Sequence, residues 1–148
     1  MSEITKMHVL TQLQEHQQKT LDKLSLLILD FSQLTQKKII SQFKQIDKDI
    51  HEHLLYDDTL IEQVRHHNDL APEIAKYEER RARIISNMEE ISSQSKKEDL
   101  LPLLRQLSGE LRVLAEFEEL RLHKKISRYS SAKELETAYN QMAEATGQ

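Results

Sequence analysis

Apolar side chains recur along this chain in alternating steps of three and four residues, the period of a helix with one buried face. The cleanest stripe is Ile39, Phe43, Ile46, Ile50, His53, Asp57, Leu60 and Val64. It predicts a helix over about 39–67. A helix before it is expected from about residue 2 to 35, with Ser2 as N-cap. Its seam is Leu10, Leu13, Gln17, Thr20, Leu24, Leu27, Phe31 and Leu34. Pro72 suits a first helical turn and opens a third helix, to about residue 92. That seam reads Ile74, Tyr77 or Glu78, Arg81, Ile84 with Ile85, Met88 and Ile91. The period leaves open whether Tyr77 or Glu78 faces inward.

A Ser-rich linker over 92–97 follows. Ser95 with Glu98 reads as a capping box for a fourth helix, to about residue 129. Its seam is Leu100, Leu104, Leu107, Leu111, Leu114, Glu118, Leu122 and then Lys125 or Ile126. Gly109 in its interior costs about 1 kcal/mol relative to alanine and predicts a close helix approach. Ser131 with Glu134 is a second capping box. It starts a short helix to about residue 143, with Leu135, Tyr139 and Met142 on one side. Long helices joined by short connections predict an all-α fold. The expected architecture is an antiparallel up-down-up-down four-helix bundle over 1–129, with a short fifth helix and tail over 130–148.

Composition narrows the function classes. The chain has 148 residues, and 2 Gly and 2 Pro leave little punctuation for strands. A net charge of −4, evenly mixed, argues against a nucleic-acid partner, which calls for a basic stripe. There is no cysteine, so thiolate metal sites and thiol nucleophiles are excluded. The longest apolar run, Leu26 to Leu29, is far short of the ~20 residues a membrane helix needs. The first residues show no secretion pattern. A cytoplasmic protein, monomer or homodimer, is expected, without nucleic-acid or membrane partners.

The polar intrusions carry the candidate chemistry. His53 and Asp57 sit one turn apart in the middle of a stripe that must be buried. Burying an imidazole and a carboxylate costs free energy unless each finds a partner: a metal, a cation or a hydrogen-bond network. The other helices break their seams too, at Gln17 and Thr20 with His16 alongside, at Glu78 and Arg81, and at Glu118. Antiparallel packing brings these positions to similar depth. Imidazole and carboxylate donors suit iron, manganese or zinc. His16, His53, Asp57, Glu78 and Glu118 are therefore the candidate metal ligands, the carboxylates serving as bridges if two ions are held. His66 and His67 are adjacent and do not share a helix face, so they are read as the end of the second helix. No activated nucleophile or phosphate-binding glycine loop is present. This argues against an enzyme, a metal-based reaction of O2 or peroxide excepted.

The run His53-Leu54-Leu55-Tyr56-Asp57-Asp58-Thr59-Leu60-Ile61 resembles the second-helix motif of hemerythrin-like (HHE cation-binding) domains. Glu118-Glu119-Leu120-Arg121-Leu122-His123 resembles that family's closing motif, and His16 occupies a position like its first-helix histidine. The resemblance spans about residues 8–129. It implies a non-haem iron centre, with two ions in the family's usual form, serving O2 or NO sensing, O2 storage or iron handling. The pattern departs at Leu114, where the family has histidine, and at Tyr77 or Glu78 and Arg81 or Ala82. Two readings follow. One is an altered, carboxylate-rich iron or manganese site. The other is a metal-free bundle, with Arg81 paired to Asp57, Glu78 or Glu118, acting as a protein-interaction module such as a regulator or chaperone.

Overall fold

The computed structural model describes residues 2–145, with side chains from Lys6 to Glu144. The side chain of Ser2, expected as the cap, and the tail after residue 145 lie outside what is described. The chain is all-helical, with no strand among the described residues. Helix α1 spans Ser2–Asp30 and runs into a 3-10 turn, Phe31–Gln33. Thr35 adopts an extended backbone and its hydroxyl accepts the N–H of Lys38, which starts α2 at Gln36–Val64. That cap places the break a few residues earlier than the apolar period does. Another 3-10 turn, Asn68–Leu70, leads into α3, Ala71–Ser93, with Pro72 in its first turn.

Helix α4 is one rod in three segments. Leu100–Phe117 is α-helical, Glu118–Leu122 is a π turn and His123–Ile126 is α-helical again. Backbone angles stay helical across both junctions. The capping box expected at Ser95 and Glu98 does not form. A 3-10 turn, Lys97–Asp99, delays the helix to Leu100 and leaves Ser95 too far upstream to cap it. The second box does form. Ser131 Oγ accepts the N–H of Glu134 at 3.1 Å, and Glu134 Oε1 accepts the N–H of Ser131 at 2.9 Å. It opens α5, Ala132–Ala145.

Packing follows the seams. Helix α1 lies against α2, α4 and α5, α2 also packs on α3 and α5, and α3 packs on α4. All eight residues of the α2 stripe are buried, the two polar ones included. So is the leucine seam of α4 from Leu100 to Leu114. Each such leucine or isoleucine contributes about 2 kcal/mol of burial. The C-terminal helix joins this core through Leu135, Ala138 and Met142. Gly109 is exposed, and a Cβ there meets nothing within 4 Å, so it marks no close helix approach. No described helix is long and apolar enough to cross a membrane.

Candidate metal centre

Helices α2 and α4 supply the centre. His53 and Asp57 stand one turn apart on the buried face of α2. Opposite them α4 presents Glu118 and His123. The four side chains pair crosswise between the helices. His53 Nε2 lies 2.7 Å from Glu118 Oε2, and His123 Nε2 lies 2.8 Å from Asp57 Oδ1. The remaining contacts are longer, 3.5 Å from His53 Nε2 to Asp57 Oδ2 and 3.4 Å from His123 Nε2 to Glu118 Oε2. None of the four is more than 5% exposed.

The π turn makes this arrangement. Five residues of regular α-helix turn by about 500°, which leaves His123 about 140° away from Glu118. In the structure the N–H of His123 bonds the carbonyl of Glu118, the wide turn of a π-helix. That added residue brings positions 118 and 123 onto one face. Glu119, Leu120 and Arg121 stay outside, while Glu118, Leu122 and His123 are buried. Such bulges are frequent at functional sites.

The electrostatics are those of a closed, mutually dependent set. Burial by itself pushes the His53 imidazole down, but the charge of Glu118 and hydrogen bonds to Asp57 and Glu118 outweigh it and hold His53 well above its ordinary value. His123 is raised in the same way against burial, chiefly by Asp57. The carboxyls split. Glu118, driven by burial and then by the charge of Asp57, is pushed up to about 7. Asp57 is held far below the usual carboxylate range: burial opposes this and is outweighed by its contacts with Glu118, His123 and His53.

Several groups in and around the centre lack hydrogen-bond partners among the described residues. Asp57 is fully buried, and the N–H group that approaches its Oδ2 among the described residues is that of His53, at the long distance of 3.5 Å and short of good hydrogen-bond geometry. A proton shared with the Glu118 carboxyl, a closer approach of His53 or a cation would each satisfy that oxygen. The Nδ1 atoms of His53 and His123 are also buried without partners. Beside them Tyr56 is wholly buried, with an unpartnered hydroxyl. Its ring meets those of His123 and Tyr139 edge-on, at 6.2 and 6.5 Å between centroids.

Of the five expected ligands, His53, Asp57 and Glu118 come together, with ligating atoms within 4.8 Å of one another. His16 stands at the edge. It is half-buried, and burial followed by the charge of His53 lowers its pKa. Its neighbour Gln17 makes the α1 contact instead, Nε2 donating to Glu118 Oε1 at 3.0 Å. Glu78 is not in the centre. It is exposed and faces Arg65 at 3.4 Å, because α3 turns Tyr77 inward. The Tyr77 hydroxyl donates to Asp58 at 2.8 Å. Arg81 is not in the core network either: it pairs with Asp58 at 3.0 Å, outside the centre. The pairing of Arg81 with Asp57, Glu78 or Glu118 expected for a metal-free core is therefore not formed. His66 and His67 follow the end of α2, and His67 is the N-cap residue of the next 3-10 turn without a capping bond from its side chain; its ring stacks on Tyr129 at 4.0 Å.

The fourth member, His123, was not among the expected ligands. A regular helical period turns it away from the seam, and only the π turn restores it. The donor set as a whole, two imidazole nitrogens and two carboxylates, suits a first-row divalent ion. In comparisons with known proteins, no family model matches the chain, and no curated protein or solved structure matches it significantly.

Proposed function

We propose that this chain is a metal-binding helical bundle of the antiparallel up-down-up-down kind, with an altered hemerythrin-like iron or manganese centre on His53, Asp57, Glu118 and His123. One observation carries the reading: two imidazoles and two carboxylates from two helices meet in the interior, and one carboxylate oxygen among them, Asp57 Oδ2, lacks a well-formed hydrogen bond from the described residues. Charge balance supports it. With neutral imidazoles and ionised carboxyls the four groups carry two negative charges. Two protons balance them, and so does one divalent ion. The ion takes the place of the protons with no other change in the charge of the core.

Short connections and the packing of α1 on α2 and α4, with α3 on α4, support the bundle arrangement. Gln17 would orient Glu118 through its hydrogen bond, as outer-shell groups do for metal carboxylates. A cavity of about 10 Å³ opens beside His53, lined by Gln17, Thr20 and leucines. That is room for a single water-sized guest. It leaves no room for turnover of a large substrate; O2 or NO sensing, or iron handling, follows from the hemerythrin-like resemblance.

A second reading has its own support. The crosswise pairs at 2.7 and 2.8 Å already satisfy most of the set with protons alone. In that case the network fixes helix register in a metal-free interaction module. Elemental analysis of untagged protein from iron-supplemented medium, purified without chelator, separates the two. About one or more ions per chain, lost in both His53→Leu and His123→Leu, establishes the centre. Substoichiometric metal that both variants leave unchanged refutes it.

A further inference from the structure

The outer side of α4 carries a second arrangement, away from the metal centre. Val113, Phe117 and Leu120 follow one another at helical spacing. Val113 is 42% exposed and Leu120 is 55% exposed, with Phe117 as the floor between them. With α3 they border a groove of about 310 Å³. Exposed apolar residues are ordinary when they occur singly. The charges around these are not. Lys76 and Arg80 of α3 and Arg121 of the π turn surround the strip, against one carboxylate, Glu116.

None of these three cations forms an ion pair among the described residues. Other cations of α3 and the end of α4 do find carboxylates: Arg81 with Asp58, Arg83 with Glu79, Lys125 with Glu73. Arg80 lies over the Phe117 ring, 5.9 Å from its centroid, and its buried Nε has no acceptor. A chain with net charge −4 has carboxylates to spare, yet none reaches this groove but Glu116.

We infer that the groove between α3 and α4 docks an acidic amphipathic helix from a partner protein. Its apolar face would cover Val113, Phe117 and Leu120, and its flanking carboxylates would meet Lys76, Arg80 and Arg121. The spacing is that of a helix laid in a groove. Arg80 offers its guanidinium as a charged donor to a partner carboxylate. A second copy of this chain does not fit: two-fold pairing of the patch sets its cations against themselves. A bilayer surface is flat and does not reach the Phe117 floor.

The test is a titration of the full, methyl-labelled chain with a synthetic helical peptide, leucines along one face and glutamates on both flanks. A lysine-flanked version and phosphatidylserine vesicles serve as competing probes. The glutamate peptide should shift the Val113 and Leu120 methyl signals saturably and bind about tenfold or more tightly than the lysine peptide. Arg80→Glu with Arg121→Glu should reverse that preference, a readout that a loss of folding does not imitate. Equal binding of the two peptides, no saturable methyl shift, or binding to the vesicles and not to the glutamate peptide overturns the proposal. Metal content plays no part in the test, so the groove and the centre stand or fall separately.

Discussion

Glu118 and His123 lie five residues apart on one helix and face the same pair of α2 side chains, because the N–H of His123 bonds the carbonyl of Glu118 across a π turn. The π turn is equivalent to one residue inserted into an α-helix. Deleting exposed Leu120 should return the segment to α-helical phase, with glutamate and histidine four apart on one face. Stability should change by no more than about 1 kcal/mol, since no buried contact is removed. Deleting exposed Val113, in the regular part of α4, should rotate the leucine seam away from Glu118 and unfold the protein. Thermal melts of the two deletion variants test this; equal damage from both would contradict it.

The crosswise pairs predict non-additive mutations. His123→Leu leaves the Asp57 carboxylate buried without its nearest partner, which should cost about 3 to 5 kcal/mol in metal-free protein. Removing both partners, Asp57→Leu with His123→Leu, should restore most of that loss. Urea denaturation of the singles and the double closes the cycle. A double variant as unstable as the sum of the singles would show that the pair is not coupled.

Stability should depend on pH, with a sign set by the imidazoles. His53 and His123 are held above their ordinary value of about 6.5 by the carboxylates beside them, against burial. The folded chain therefore binds those protons more tightly than the unfolded one. The stabilisation is complete below about pH 6.5 and is lost as pH rises through the raised values. Glu118, pushed up to about 7 by burial and Asp57, acts in the same direction above the ordinary carboxylate range. Chelator-treated protein should thus melt at progressively lower temperature from about pH 6 upward. A bound divalent ion should reverse the trend, since it displaces two protons and its affinity rises with pH. Parallel melting curves with and without metal check both signs.

Tyr56 predicts a gain. Its hydroxyl is buried without a partner, which costs about 1 to 3 kcal/mol relative to a satisfied group. Tyr56→Phe keeps the edge-on ring contacts with His123 and Tyr139. It should leave stability unchanged or raise it by up to about 1 kcal/mol. A marked loss in a melt would mean that the hydroxyl has a partner the cluster needs.

The helices and the polar core positions of α2 were legible in the chain itself. A stripe of period 3.6 marks the buried face whatever occupies it, so His53 and Asp57 stood out because they broke it. Glu118 was legible for the same reason, as the first polar residue in a leucine seam. What the period does not resolve is a choice between adjacent or phase-shifted residues. Tyr77 and Glu78 are 100° apart, and the larger apolar body of Tyr77 went inward while Glu78 stayed in water with Arg65. Gln17 and not His16 reached Glu118, a difference of one residue in the rotation of α1. Arg81 found Asp58 at the rim, where its charge keeps contact with solvent and avoids the desolvation of the core.

His123 was hidden most completely. Periodicity assumes a constant twist, and a π turn changes the twist at one point for which no local residue preference is diagnostic. The chain alone determined the helices, the buried stripes and three of the four clustered polar side chains, because those follow from local hydrogen bonding and the burial of apolar faces. Tertiary structure decided the fourth, His123, and the crosswise pairing. Packing against α2 is what allows α4 to take up an extra residue and turn a histidine inward to meet Asp57.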